Sequence, residues 1–332
     1  MTRKNRIWLF AATVIILLGL VIFGSVMTML KWDFKKLSTV KYEDNMYEIS
    51  ESYHGISVDT DTAELVFAPS PDGKTSVSCH EQSKLKHSVS VVDGTLTVKL
   101  CDTRNWFNRI FNFSFEKTKI LISIPSGDYG VLTVTSSTGD IYVPEDFIFE
   151  GIDVKASTGD ITCLASVRGD VKIKTSTGDI SVENITADSV SLSVSTGRVT
   201  ASGVSCYGNL DITVSTGKTY LTDVSCENLT SNGDTGDISL SRTVAKATLS
   251  VTRSTGSVSF DGADAAEIYV TTDTGSVMGR LLTDKVYIVD TDTGRVDVPK
   301  TVIGGRCEIT TDTGNIIITV GPNPKPATDV TD

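Results

Sequence analysis

A Thr-Gly pair recurs along this chain with its glycine at Gly139, Gly159, Gly178, Gly197, Gly217, Gly236, Gly256, Gly275, Gly294 and Gly314. Every step between neighbours is nineteen or twenty residues, a regularity that random placement of 27 glycines does not produce. A fixed period of this size restricts the chain to an architecture in which each unit stacks on the next. A single unit cannot bury its apolar face alone.

The residues around each glycine say what the unit is. Seven positions before it stand Leu132, Ile152, Val171, Val190, Leu210, Leu229, Leu249, Ile268, Tyr287 and Cys307. Five before it the column is mostly Val, Ile or Leu, as in Val134, Ile173, Leu192, Ile212, Val270 and Ile309. Two after it come Ile141, Ile161, Ile180, Val199, Ile238, Val258, Val277, Val296 and Ile316, with Thr219 the one polar residue. Alternation at period two means strands with one buried face. Each repeat therefore reads as strand, Thr-Gly corner, strand and a second corner, under which a further apolar residue such as Ile185, Val204, Val224 or Leu282 tucks. Glycine suits a sharp corner because it accepts positive φ, and the neighbouring Ser, Thr and Asp can bond the turn backbone.

One such coil buries about five apolar side chains at ~1.5–3 kcal/mol each, against an ordering cost of ~1–2 kcal/mol for every residue. It is not stable alone. Stacking at ~4.8 Å pairs each strand with its counterparts above and below, so ten corners predict a rod on the order of 50 Å long. The expected fold is all-β: a parallel β-solenoid, or single-stranded β-helix, of about ten coils over residues 126–320, successive repeats stacked in sequence order. An aromatic content of only 7% agrees with short strands and tight turns rather than a helical core.

Strict register turns equivalent residues into ladders on the surface. Before the Thr-Gly pair run Ser137, Ser157, Ser176, Ser195, Ser215, Asp234, Ser254, Asp273, Asp292 and Asp312. After it run Asp140, Asp160, Asp179, Arg198, Lys218, Asp237, Ser257, Ser276, Arg295 and Asn315. The corner is polar throughout and turns acidic toward the C-terminus.

The recurring S-T-G-D-I and T-D-T-G units, such as Ser157 to Ile161, Ser176 to Ile180 and Asp273 to Ser276, resemble the bacterial putative-adhesin β-strand-repeat family, a domain of unknown function. The resemblance extends over about Ser50 to Val320, and its specificity comes from the ten-fold repetition. It implies an envelope protein, often membrane-anchored and sometimes linked to envelope-stress regulation, and it implies no catalytic residues.

Residues 1–36 read as a cytoplasmic tail and a transmembrane anchor. Ile7 to Leu30 carries no charge, which at ~1.5 Å per residue suffices to cross a ~30 Å hydrocarbon layer. A cleavable signal peptide is the rival reading, with an apolar core of ~7–15 residues and a small-residue cleavage site. Arg3, Lys4 and Arg6 before the segment are balanced by Lys31, Lys35 and Lys36 after it. The short N-terminal tail and the large polar body decide for N-terminus in and solenoid outside, single-pass in a bacterial cell membrane. Setting aside the six cations and one acid of the first 36 residues leaves 24 basic and 40 acidic ones, net −16. Such a surface repels nucleic acid.

Residues 37–55 read as a juxtamembrane stalk, 56–125 as irregular N-terminal coils and a cap, and 321–332 as a disordered tail. A cap is required because an open solenoid end exposes strand edges and core. Within 56–125 lies the one aromatic concentration of the exported part, Trp106, Phe107, Ile110, Phe111, Phe113 and Phe115. It reads either as cap packing or as a docking loop for a partner or the outer leaflet.

Catalytic, cofactor and metal residues are all expected to be absent. No GxSxG, HExxH or Walker loop occurs. His54, His80 and His87 have no ligand partner at a recognisable spacing, so surface or cap positions are expected. The Asp-rich corners suit calcium in charge but lack the nonapeptide of calcium-binding β-rolls. Cys206 and Cys226 hold the same place in adjacent coils, as stacked thiols or as a disulfide. The expected function is a membrane-anchored binding or structural surface, an adhesin or envelope-stress-associated protein that is not an enzyme. Its partners would be the membrane and an envelope or cell-surface protein or glycan. The alternatives are a polysaccharide-processing β-helix enzyme, whose site would need long insertions among the coils, and a regulatory partner of a membrane sensor.

Overall fold

The computed structural model describes residues 3–33, 40–103 and 117–322. The aromatic segment with Trp106, Phe107, Ile110, Phe111, Phe113 and Phe115, and most of the predicted tail, lie outside the described residues.

The apolar N-terminal run forms one helix, Arg3–Met29. The most apolar 18-residue stretch within Asn5–Met29 has a mean hydropathy of 2.7, and none of that stretch is covered by the rest of the chain. The hydroxyls of Thr13, Ser25 and Thr28 bond carbonyls four residues back, so their polarity is satisfied inside the helix. The helix is long and apolar enough to cross a membrane.

The alternating columns build the predicted parallel β-solenoid. Before the corner, Leu132 stacks on Ile152, and Val171, Val190 and Leu210 follow in order. After it, Ile141, Ile161, Ile180 and Val199 form a second ladder. These columns are almost fully buried and merge into one continuous core. Under the second corner Ile185, Val204 and Val224 are buried as expected, while Leu281 takes the place predicted for Leu282. Small side chains, Ala187, Cys206, Cys226 and Ala245, fill another column there. Cys206 and Cys226 are both thiols. The adjacent Cys206 sulfur, and then burial, hold Cys226 protonated.

Stacking does not follow sequence order at the C-terminal end. Strand Glu267–Thr274 pairs with Gly305–Thr313, which in turn pairs with Lys285–Thr293. The second strands repeat the exchange, Val277 pairing with Ile316 and Ile316 with Val296. The last repeat is thus inserted beneath the one before it, correcting the expected order while all pairings remain parallel. Burial gives the reason. Cys307, Ile309, Ile316 and Ile318 are buried, whereas Tyr287, Val289 and Val298 are half-covered and Val296 is exposed. The more apolar coil takes the place with a neighbour on both sides, where the hydrophobic gain is greater.

The N-terminal end also breaks order. We number its strands β1 (Tyr42–Ile49), β2 (Gly55–Pro69), β3 (Thr75–Gln82), β4 (Leu85–Val92), β5 (Thr95–Asp102) and β6 (Thr118–Ile124). β2 bends to make a complete coil, flanked by β5 and β6 on one side and by the Gly139 coil on the other. Beyond it, β3 pairs antiparallel with β6, β1 with β3, and β4 with β5. The β4–β5 hairpin turns through Asp93 and Gly94, both at positive φ, as a tight two-residue turn requires. Within the span predicted as a stalk, Tyr42–Ile49 is instead a strand of this cap.

Candidate functional site

At the Thr-Gly corner the glycine is required mainly by close approach. A Cβ on Gly159, Gly178, Gly197, Gly217, Gly236, Gly256 or Gly275 would strike the carbonyl oxygen of the glycine one coil back. On Gly139 it would strike that of Ala63, on Gly314 that of Gly275, and on Gly294 that of Gly314, so this column follows the exchanged order too. The preceding threonine closes the corner, its carbonyl accepting the amide of the adjacent coil's glycine, as from Gly139 to Thr158 and from Gly275 to Thr313.

The residue after the glycine supplies a second rung. Asp140 accepts the backbone amide of Asp160, Asp160 that of Asp179, and Asp179 that of Arg198, at 2.7–2.9 Å. Farther along, Asp237, Ser257, Ser276 and Asn315 do the same. These aspartates thus have a structural task that needs no cation. Arg295 offers no such acceptor and needs none, because its coil is the last in space. The amide of Ser257, followed by Lys218, holds the Asp237 carboxyl below its usual range.

Arg253 is a residue that sequence reasoning missed. It is 2% exposed, and its Nη2 reaches Ser231 Oγ at 2.9 Å and Thr219 Oγ1 at 3.3 Å, while Nη1 donates to the Thr252 carbonyl. Burial pushes its pKa down, opposed by the Asp234 carboxylate. Gly233 leaves room for it, since a Cβ there would meet the guanidinium. Thr219, the polar outlier of its apolar column, is therefore one wall of an internal arginine pocket. Polar interruptions at 219, 231 and 253 were the available signal.

The three histidines go to the N-terminal end, and the described structure gives each a partner. His54 lies 3.4 Å from Glu150 and packs over Gly130, where a Cβ would collide with its ring. His80 Nδ1 meets Asp44 at 2.7 Å, and its ring stacks on Tyr42. His87 is buried, its Nδ1 2.7 Å from Glu81 Oε2 and its Nε2 3.0 Å from Thr60 Oγ1. Glu81 also accepts the His87 amide and, through Oε1, Asn45 Nδ2. Cys79 sits beside them, its thiol pushed up to about 12 by burial and then by Glu81. A cavity of about 430 Å³ opens nearby, lined by Thr62, Gln82, Lys117, Thr118, Gly139 and Asp140 among others.

At the other end Lys285 and Asp264, both buried, pair at 2.7 Å. Lys285 belongs to the outermost coil and Asp264 lies beyond the inserted one, so this pair ties together segments that the exchanged order separates.

The family model Toastrack DUF4097 matches residues 53–217 and 205–331. Among solved structures, a putative adhesin from Bacteroides fragilis NCTC 9343 is 15% identical, with 84% of this chain and 97% of that one covered and a TM-score of 0.42. A putative adhesin from Parabacteroides merdae ATCC 43184 is 14% identical, with 74% and 98% covered and a TM-score of 0.48. A putative lipid binding protein from Parabacteroides distasonis ATCC 8503 is 16% identical, with 73% and 97% covered and a TM-score of 0.43. No curated protein matches the chain.

Proposed function

We propose that this chain, which belongs to the Toastrack DUF4097 family, is a membrane-anchored extracytoplasmic rod that binds an envelope component or a cell-surface protein or glycan, and that it is not an enzyme. The observation that carries this reading is the evenness of the rod. From the Gly139 coil to the Gly256 coil every strand pairs with its neighbour without an inserted loop. A β-helix enzyme builds its site in such loops, which position acid, base and substrate groups. An even polar face offers repeated hydroxyls and amides instead, such as Ser193, Thr213, Asn232 and Thr252 on one outward column. That arrangement suits an extended partner touched at several coils.

The anchor reading rests on the Asn5–Met29 helix, whose most apolar stretch is left bare by the rest of the chain. The short N-terminal tail and the large polar body beyond the helix support the proposed orientation, N-terminus in the cytoplasm.

In-cell photo-crosslinking from Thr213 and Thr252 on the outward column tests the proposal. The expected result is a reproducible envelope protein or glycan adduct that disappears when the exposed Asp211 and Asp234 on the two flanking columns are replaced by lysine. Background labelling alone, or release of sugar products from envelope glycans by the purified chain, would sink the binding-surface reading.

A further inference from the structure

The N-terminal cap contains a cluster that the binding-surface reading leaves unused. Cys79 and Glu81, two residues apart on β3, point to the same buried side, and His87 joins them from β4 across the Ser83–Lys84 turn. One ligand atom from each, Cys79 Sγ, a Glu81 carboxylate oxygen and a His87 ring nitrogen, all lie within 4.8 Å of one another. All three residues are buried.

We propose that Cys79, Glu81 and His87 bind a divalent cation of the zinc class, which ties β3 to β4 in the cap beside the first coil. The donor set is one sulfur, one nitrogen and one oxygen, which suits a borderline-soft ion and is a poor match for calcium or magnesium. Bond lengths of ~2.0–2.3 Å place tetrahedral ligand atoms roughly 3.3–3.7 Å apart. His87 Nδ1 and Glu81 Oε2 stand at 2.7 Å and all the ligand atoms lie within 4.8 Å of one another, so side-chain rotations that shift them by up to about 1 Å reach that spacing.

The surrounding groups are already arranged as outer supports. Thr60 Oγ1 holds His87 Nε2 at 3.0 Å, and Asn45 Nδ2 holds Glu81 Oε1 at 2.7 Å. This leaves Nδ1 and Oε2 as the atoms turned toward each other, and a ring nitrogen held on its far side is how metal-binding histidines are oriented. Binding releases the Cys79 proton to solvent, and the Nδ1 proton that faces Glu81 Oε2 shifts to Nε2 or leaves with it, so that the imidazole presents its Nδ1 lone pair and carries one proton on Nε2 toward Thr60. Dication, thiolate and carboxylate then sum to zero, so no net charge is buried. Three protein ligands leave one tetrahedral position for water.

The test uses the full chain in detergent, stripped with a chelator and titrated with Zn²⁺ and with Co²⁺. One equivalent of either should bind, and Co²⁺ should give the thiolate charge-transfer and tetrahedral ligand-field bands that carboxylate corners cannot produce. Cys79→Ser should abolish the charge-transfer band, and Thr60→Val, which removes only an outer support, should weaken binding about 10–100-fold. Circular dichroism checks that each variant retains its strands. The proposal is overturned if the folded wild-type chain takes up no stoichiometric metal, or if the charge-transfer band persists in Cys79→Ser. Neither result bears on whether the outward face binds a partner.

Discussion

The two ends of the rod are closed by different means over a similar device. At the N-terminal end, β3 and β4 run antiparallel to the stack, β1 adds to the edge of β3, and two tight connections fold these strands over the first coils. At the C-terminal end nothing foreign to the repeat is added; the last two repeats exchange places, and the less apolar one lies outermost. Yet each end buries an acid against a basic side chain from a different strand: Glu81 with His87, and Asp264 with Lys285. In the even middle the buried ionic side chain is Arg253, held by hydroxyls and a carbonyl. A repeat that fits any neighbour needs an explicit signal to stop, and a polar pair that must find its partner supplies one.

Breaking these pairs should have the largest effect. Glu81→Ala and Lys285→Met each leave a buried polar or charged partner alone, at a cost of about 3–5 kcal/mol. In a rod whose coils contact mainly their neighbours, the loss should be local. Hydrogen exchange is expected to speed up in β1, β3 and β4 for the first variant and in the Lys285–Thr293 and Gly305–Thr313 strands for the second. The coils around Gly178 and Gly197 should stay protected in both. Uniform loss along the rod would show that the ends are not independent closures.

The exchanged coils offer a smaller and sharper contrast. Ile309 is buried between two coils, whereas its neighbour Val289 in the outermost coil is half-covered. Ile309→Ala should cost about 2–5 kcal/mol, and Val289→Ala about 1 kcal/mol. Denaturant unfolding of the two variants tests this, because the opposite ranking would follow if the repeats stacked in sequence order.

The smallest effect belongs to the even middle. The Asp237 carboxyl is held below its usual range in the folded chain. Its contribution is therefore fully present above the unfolded-state value near ~4 and lost as pH falls through the lower folded-state value. Because the corner is half exposed, the loss should stay below ~1 kcal/mol. Asp237→Asn keeps an acceptor for the Ser257 amide, so its unfolding midpoint should change less between pH 6 and pH 3 than that of the parent chain.

The sequence made the rod legible and hid its ends. The β2 coil obeys every column of the repeat, with Ile56, Val58, Leu65 and Phe67 in the core and Thr62 stacked on Thr138. It escaped a search keyed on glycine because Ala63 holds the corner. Alanine is tolerated there because the strand stacked on that side is β6, with Thr118 opposite it, instead of another glycine corner. Arg253 was visible only as a charge in a column of small residues and through faults at 219 and 231 in otherwise apolar ones. The grouping of Cys79, Glu81 and His87 had no sequence signature, since Asn45 and Thr60 come from strands that the fold alone brings beside them.

What the sequence determined by itself was the coil: where it turns, which side chains enter the core, and how one rung meets the next. All of these depend on local alternation and on a glycine that lets two backbones approach. What only the tertiary structure decided was the order of the rungs. Every Thr-Gly corner fits every other, so the local rules are indifferent to which coil stacks on which. The choice falls to burial summed over the whole stack, which places Ile309 and Ile316 inside and leaves Val296 at the edge.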